Sequence, residues 1–239
     1  MIAHGIEVWP GAPNRLARFL AGQLKHCIAV SEVIRERLSA WAGIDAAKIS
    51  VLHNCADLGR FTPGPKEPGM RARLGLEGKR LFMTLWRLET GERFKGFDEI
   101  HDVIPGMVAM YSAIVYMAAG DDNDRDQLEQ KAHSLGIDGN VVFAGYVPEA
   151  KIVAYYRMVD AYVVPSRGEG FGIVFLGALG CGIPVVGDRV DGGLEVFLDS
   201  KLGRMVDPDD REELKSAILH ALDQPKGSVV TDLLRYSEA

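Results

Sequence analysis

The sequence has little that would support a disulfide framework or a structural zinc site. Its cysteines are Cys27, Cys55 and Cys181, an odd number at wide spacing with no CxxC pair among them. Such usage excludes the small disulfide-stapled folds and the common zinc modules. We therefore expect a reducing, cytoplasmic environment, with the inner face of the membrane as an open alternative.

The sequence also lacks a long apolar run, a leader-like start and an excess of basic charge. The longest near-apolar stretch, 173–187, is shorter than the ~20 residues of a membrane span, and its glycines and proline predict a helix turning into a strand. No basic segment followed by an apolar one stands at residues 1–5, so we expect no signal peptide. The net charge of −6 argues against a general nucleic-acid binder.

Short apolar, β-branched segments alternate with longer amphipathic ones over most of the chain. This alternation predicts an α/β fold with a doubly wound, Rossmann-like parallel sheet. Strands are predicted near residues 26–30, 49–53, 81–86, 113–119, 140–144, 161–165 and 183–186, and helices over 95–108, 124–135 and 208–222. Turn-forming residues concentrated in 61–69 predict a domain boundary there.

A glycine-rich turn follows the predicted strand 161–165 and opens a helix. Its residues 166–172 read Ser-Arg-Gly-Glu-Gly-Phe-Gly. Glycines allow a ligand to approach the backbone, and free N–H groups at a helix start attract phosphate. Glu169 would be unfavourable beside a phosphate unless it bound something else, such as sugar hydroxyls. The alternative is a tight strand-to-helix connection with no ligand.

An ordered set of short motifs extends along most of the chain. It comprises Val30-Ser31-Glu32, Leu52-His53-Asn54, Leu85-Trp86-Arg87-Leu88, Lys95-Gly96, Ala119-Gly120-Asp121, Phe143-Ala144-Gly145-Tyr146-Val147, Pro165-Ser166, the Glu169 turn, Gly182-Ile183-Pro184-Val185-Val186 and Val206-Asp207-Pro208. With these motifs the sequence resembles family 4 of the retaining glycosyltransferases, which have the two-domain GT-B fold. The resemblance implies a remnant of the acceptor domain at 1–58, a donor-binding domain at 59–222 and a tail at 223–239, with the N-terminal part of the family's first domain missing.

The resemblance also implies roles for individual residues. Arg87 and Lys95 correspond to the cationic pair that binds the diphosphate, and two fixed positive groups would stabilise charge on the departing nucleotide. The turn would contact the sugar and phosphates through Glu169 and backbone groups, and His4 would face the reaction centre. The implied base-binding loop is Gly145, Tyr146 and Val147, and the implied backbone groups of the turn are those of Gly170, Phe171, Gly172 and Ile173. Without the resemblance, the two cations would be interpreted as solvated loop charges, Tyr146 as a packing aromatic and His4 as an exposed side chain.

The sequence departs from the family at one position of this site. The family has a second Glu after seven intervening residues, and here that position is Gly177. A carboxylate there would accept hydrogen bonds from ribose hydroxyls, each worth about 1.5–3 kcal/mol. We therefore expect weak nucleotide binding, and we expect Gly177→Glu to strengthen it.

The function implied is transfer of a sugar from a UDP- or GDP-sugar to an unidentified glycan, lipid-linked or small-molecule acceptor, with retention of configuration. No metal or other cofactor is expected, because cationic side chains and the helix start would supply the positive charge. A peripheral membrane contact is compatible with this interpretation. The alternative is a non-catalytic nucleotide-sugar-binding or interaction module. An NAD-dependent dehydrogenase is disfavoured, since no GxGxxG follows the first strand.

Overall fold

The computed structural model describes residues 1–5, 15–86, 94–121, 123–189, 192–197, 202–227 and 233. Within the first of its two sheets, three short parallel strands run in the order β1-β2-β3. The elements are β1 (Ile2–Ala3), α1 (Arg15–Gly22), β2 (Cys27–Ala29), α2 (Glu32–Ala42) and β3 (Ile49–Val51). Helix α2 begins after Ser31, whose hydroxyl accepts the Ile34 N–H, and it ends at Gly43 with φ of 67°.

The second sheet is larger and fully parallel, and it alternates strand and helix along the chain. Its elements are α3 (Met70–Arg73), β4 (Arg80–Leu85), α4 (Phe97–Met110), β5 (Ile114–Ala119), α5 (Arg125–Ser134), β6 (Val141–Gly145), α6 (Ile152–Met158), β7 (Ala161–Val164), α7 (Ile173–Gly180), β8 (Val185–Asp188), α8 (Leu194–Phe197), β9 (Arg204–Val206) and α9 (Arg211–Asp223). The strand order is β6-β5-β4-β7-β8-β9. This is the doubly wound arrangement, so the predicted α/β fold class is confirmed.

Both faces of the larger sheet are buried. Along β5, Tyr116 packs with Ile104 and Ile218 on the side of α4 and α9, whereas its neighbour Met117 belongs to the opposite core cluster, on the side of α6 and α7. Strands that are buried on both faces are nearly continuous runs of apolar residues, which explains why their positions could be predicted from the sequence. The cluster that contains Met117 also includes buried side chains of the smaller sheet and α2, so one apolar core extends over both sheets.

The predicted strands and helices are present with their bounds shifted by one to three residues. Strands β1 and β9 and helices α1, α2, α3, α6 and α8 are additional elements. The division into 1–58, 59–222 and 223–239 stays a prediction, and most of the last range lies outside the described residues. Among the residues described, no helix is long and apolar enough to cross a membrane.

Candidate functional site

The candidate site lies where β4 and β7 run side by side and the connections leave in opposite directions. Phe82 pairs with Ala161 and Met83 with Tyr162, so both strands present their carboxyl ends at the same edge. Ligands of doubly wound sheets bind in the crevice outside this edge, at the point where the strand order reverses. Residues 94–96 follow β4, and residues 165–172 follow β7.

These two loops pack against each other so closely that glycine is needed. A Cβ added to Gly96, whose φ is 88°, would lie 2.5 Å from the Pro165 carbonyl oxygen. A Cβ added to Gly168 would lie 2.6 Å from the Phe94 ring. The Arg167 N–H donates to the Phe94 carbonyl at 2.7 Å. The two loops, residues 94–96 and 165–172, thus form one packed unit, which we call the β4–β7 joint.

Lys95 is buried at the centre of this joint, with 3% of its surface exposed. Its Nζ lies 3.1 Å from Glu169 Oε2 and 3.3 Å from the Gly168 carbonyl oxygen. The ammonium also lies 3.9 Å from the centroid of the Trp86 ring, within the range of a cation–π contact. The interpretation of Lys95 as a solvated loop charge is therefore wrong.

Glu169 is buried as well and uses both carboxylate oxygens within the protein. Its Oε1 accepts the Gly172 N–H at 2.9 Å, while Oε2 faces Lys95. Gly172 has a φ of 86° and immediately precedes α7. The expectation that the Gly172 N–H is open to a ligand needs correction, because a carboxylate of the same turn already accepts it. The positive end of α7 is thereby partly neutralised by Glu169.

His4 is brought to the glycine-rich turn by the end of β1. A Cβ added to Gly170 would lie 2.1 Å from the His4 carbonyl oxygen, so only glycine fits at position 170. The smaller sheet therefore contacts the same turn that carries Glu169. Phe171 is buried and Ile173 is half exposed at the start of α7.

The predicted base-binding loop lies at the end of β6, on the same edge of the sheet. Gly145 ends the strand with a φ of 69°, and its carbonyl accepts the Gly120 N–H at 2.9 Å. Tyr146 is 74% exposed and Val147 is buried. That exposure contradicts the interpretation of Tyr146 as a packing aromatic, and it leaves the ring open to a planar partner.

Gly177 is buried in the middle of α7, and the space beside it is occupied. A Cβ added there would lie 3.0 Å from the Tyr156 ring and 3.3 Å from the Phe61 ring. The Tyr156 hydroxyl donates to the Val174 carbonyl at 3.0 Å, which fixes that ring in place. A side chain at 177, expected from the sequence to project from the helix toward the ribose, would meet these two rings first. The other predicted cation, Arg87, lies outside the described residues.

Several residues at the site were assigned no role from the sequence. They are Trp86, which faces Lys95, and Ser31, His53 and Glu195, which link the smaller sheet to the turn. Trp86 ends a predicted strand, and Ser31 precedes a helix as a typical N-cap, so both had a local signal. The contacts of Glu195 reach Glu32, Val33 and His53, and the sequence had no signal for them.

The described residues contain no group of three or more His, Cys, Asp or Glu side chains that could hold an ion. The absence of a metal or other cofactor stays a prediction.

The sequence model described as glycosyl transferases group 1 matches residues 69–232. The chain belongs to this family. The matched range contains both loops of the joint and the whole larger sheet. Membership confirms the resemblance to the glycosyltransferases, while retention of configuration stays a prediction.

Two curated relatives of this glycosyltransferase-family chain illustrate the extent of the similarity. It is 31% identical over 234 residues to the GDP-mannose-dependent alpha-(1-6)-phosphatidylinositol monomannoside mannosyltransferase of Mycolicibacterium smegmatis, covering 93% of this chain and 60% of the relative. It is 31% identical over 216 residues to the D-inositol 3-phosphate glycosyltransferase of Segniliparus rotundus, covering 87% of this chain and 46% of the relative. The chain thus spans about half to three fifths of these proteins.

Solved structures confirm the fold. The glycosyltransferase-family chain superposes on Anabaena HepE in complex with UDP and glucose with a TM-score of 0.85 and 21% sequence identity, covering 99% of this chain and 67% of HepE. It superposes on a glycosyltransferase from Rickettsia africae with a TM-score of 0.75 and 17% identity, covering 98% and 62% of the two chains. The fold is that of GT-B glycosyltransferases.

Proposed function

We propose that this chain binds a nucleotide-diphospho-sugar at the β4–β7 joint and transfers the sugar to an acceptor hydroxyl with retention of configuration. The observation that carries the proposal is the buried pair of Lys95 and Glu169 at the switch point of the larger sheet. A buried ion pair is costly to maintain and contributes little to stability by itself. Its position at the ligand-binding edge favours a functional reason for it.

The chemistry assigns the two charges different tasks. In the transfer, the bond between the anomeric carbon and the diphosphate oxygen breaks with its electron pair on the diphosphate. The acceptor oxygen forms the new bond, and its proton leaves with the diphosphate. Lys95, together with Arg87, would stabilise the charge that develops on the leaving group. Glu169 would accept hydrogen bonds from sugar hydroxyls, and His4 would face the same centre from the smaller sheet.

The base and the ribose would be held less completely than the diphosphate. Tyr146 offers an exposed ring beside the carboxyl end of β6, where a nucleobase can stack. Helix α7 has only apolar residues from Ile173 to Gly180, so it presents no side-chain acceptor to ribose hydroxyls. We therefore expect weak binding of free UDP or GDP, without a divalent metal.

The alternative is a non-catalytic nucleotide-sugar-binding or interaction module. The observation in its favour is Gly177, which supplies no ribose-binding carboxylate and lies in tight contact with the rings of Tyr156 and Phe61. Both candidates bind a nucleotide, and only the first releases it as a product.

Turnover and binding measured together separate these candidates. The two relatives and HepE, which has also been solved in complex with UDP-glucose, guide the choice of substrates: GDP-mannose and UDP-glucose as donors, with phosphatidylinositol monomannoside and D-inositol 3-phosphate as acceptors. The expected result is acceptor-dependent release of GDP or UDP that persists in EDTA, with the product anomer assigned by NMR. Nucleotide binding without turnover would favour the module, and no binding of either nucleotide would overturn both candidates.

A further inference from the structure

The N-terminus of α2 rests on the glycine-rich turn. Ser31 is fully buried there, and its Oγ donates to the Gly170 carbonyl at 2.7 Å while accepting the Ile34 N–H at 3.1 Å. The residue that caps a helix of the smaller sheet is therefore also bonded to the turn of the larger sheet. The orientation of α2 and the position of the turn depend on each other.

Glu195, from α8, completes the same junction. Its Oε1 accepts the Glu32 N–H at 2.6 Å and lies 3.3 Å from the Val33 nitrogen, which also donates to it. Its Oε2 lies 2.8 Å from His53 Nε2. The carboxylate is 18% exposed and lies at the positive end of α2, where a negative charge is favourable. One side chain of the larger sheet thus joins two separate segments of the smaller one.

Two further contacts connect Glu195 to the candidate site. The His53 ring stacks on Phe171 of the turn, with 5.3 Å between centroids and an angle of 24° between the planes. At the start of the segment that carries α8, the Gly192 N–H donates to the Glu169 carbonyl at 2.9 Å. The short segment 192–195 therefore connects the backbone of Glu169 to the carboxylate of Glu195.

From this geometry we infer that Glu195 is a positioning residue: it clamps α2 and His53 onto the turn and so sets the position of Glu169 relative to His4. The inference rests on the proposed function, since the turn is the part that would hold the donor. A donor that orders the turn would strengthen the contacts of Glu195 with α2 and His53. These contacts would strengthen donor binding by the same factor, because thermodynamic coupling is reciprocal.

The first test needs no ligand. Exchange of the Glu32 and Val33 amide hydrogens is measured by NMR in the wild-type chain, in Glu195→Ala and in Glu195→Gln. We expect exchange in Glu195→Ala to be about tenfold faster, the scale of a lost helix cap. Glu195→Gln keeps an acceptor oxygen and should stay near wild type. Asp45→Ala is the matched control, because Asp45 also caps a helical turn: its side chain accepts the Ala47 N–H at 2.9 Å just before β3. Unchanged exchange in Glu195→Ala would overturn the inference.

The second test distinguishes positioning from a purely structural role. Saturating GDP or UDP should slow exchange at the Glu32 and Val33 amides of the wild-type chain, and this effect should disappear in Glu195→Ala together with a several-fold loss of nucleotide affinity. Nucleotide protection that survives in Glu195→Ala would contradict positioning, even if the variant melts earlier. If neither nucleotide binds the wild-type chain, the proposed function fails and the positioning role with it, whereas the ligand-free exchange still decides whether the clamp exists.

Discussion

Lys95 Nζ lies 3.1 Å from Glu169 Oε2, and the two side chains are only 4% and 8% exposed. The contact joins the loop after β4 to the turn after β7. Each charge would be costly to bury without the other, because the desolvation of an unpaired ion is larger than any single hydrogen bond can offset. The pair is therefore a structural unit as well as a candidate site.

Lys95→Met should weaken UDP and GDP binding and also lower the free energy of unfolding by about 3 kcal/mol, the scale for removing one partner of a buried pair. From the sequence, a change in binding with little change in melting temperature would be expected, because a surface charge shifts stability by only about ±0.5 kcal/mol. The burial of Lys95 overturns that expectation. Thermal unfolding and calorimetry give the two values, with Lys48→Ala as an exposed control.

The double variant Lys95→Met with Glu169→Gln provides a second check on the pair. It removes both charges, so it should recover a large part of the stability lost in Lys95→Met while nucleotide binding stays weak. If the two single substitutions simply added in the double variant, the two side chains would not be coupled.

Gly177→Glu should fail to tighten UDP or GDP binding, contrary to the expectation from the sequence. The Tyr156 ring lies 3.0 Å from the added Cβ, and moving the ring away would strain the hydrogen bond from its hydroxyl to the Val174 carbonyl. Overpacking typically costs 1–3 kcal/mol, which outweighs the gain of about 1 kcal/mol from replacing a helical glycine by alanine. Gly177→Ala should thus be destabilised by about 1 kcal/mol in urea unfolding, and Gly177→Glu by more. A stable Gly177→Glu with tighter ribonucleotide binding would restore the ribose assignment.

His101 should make the fold sensitive to mild acid. The ring is fully buried between Tyr116 and Phe143, and its Nδ1 donates to the Phe97 carbonyl at 2.7 Å. Burial lowers the pKa of His101 from 6.5; the bond to Phe97 opposes this, and the nearby charge of Lys131 adds to it. The unfolded chain therefore binds this proton more readily than the folded chain. Protonation of His101 costs no stability well above pH 6.5, and it lowers the free energy of unfolding as the pH drops below 6.5.

Denaturant unfolding between pH 8 and 5 measures this effect. His101→Phe should lose part of the pH dependence between pH 6.5 and 5, whereas the exposed His133→Gln should retain it. Equal pH profiles for the wild-type chain and His101→Phe would show that another group is responsible.

The thiols should react in two classes. Cys55 is exposed, whereas Cys27 and Cys181 are buried, and burial raises the pKa of the Cys181 thiol to about 11. A thiolate-specific reagent at pH 8 should therefore label one cysteine rapidly in the native chain and all three in denaturant. Cys55→Ser should abolish the fast phase, and a second fast thiol in that variant would indicate local opening of the core.

Strands β4 to β8 of the larger sheet were predictable because burial on both faces of the sheet gives each a continuous apolar segment. Strands β1 and β9 were not, since they have two and three residues and their first residues, Ile2 and Arg204, are exposed. The location of the candidate site followed from a local pattern, a strand running into a glycine-rich turn. The burial and pairing of Lys95 could not be predicted from a local pattern. Its neighbours Trp86, Gly168 and Glu169 surround it only after two distant segments have packed together.

The pairing of β4 with β7 also determines when the site can form during folding. Phe82 and Ala161 are farther apart in the chain than the partners of any other pairing in the larger sheet. Closing a long loop is entropically costly, and contacts between distant residues slow folding. We expect the segments 80–145 and 161–206 to gain order separately, and the Lys95–Glu169 contact to appear only in the final, slowest step. Recovery of nucleotide affinity should accordingly lag behind recovery of helical signal during refolding.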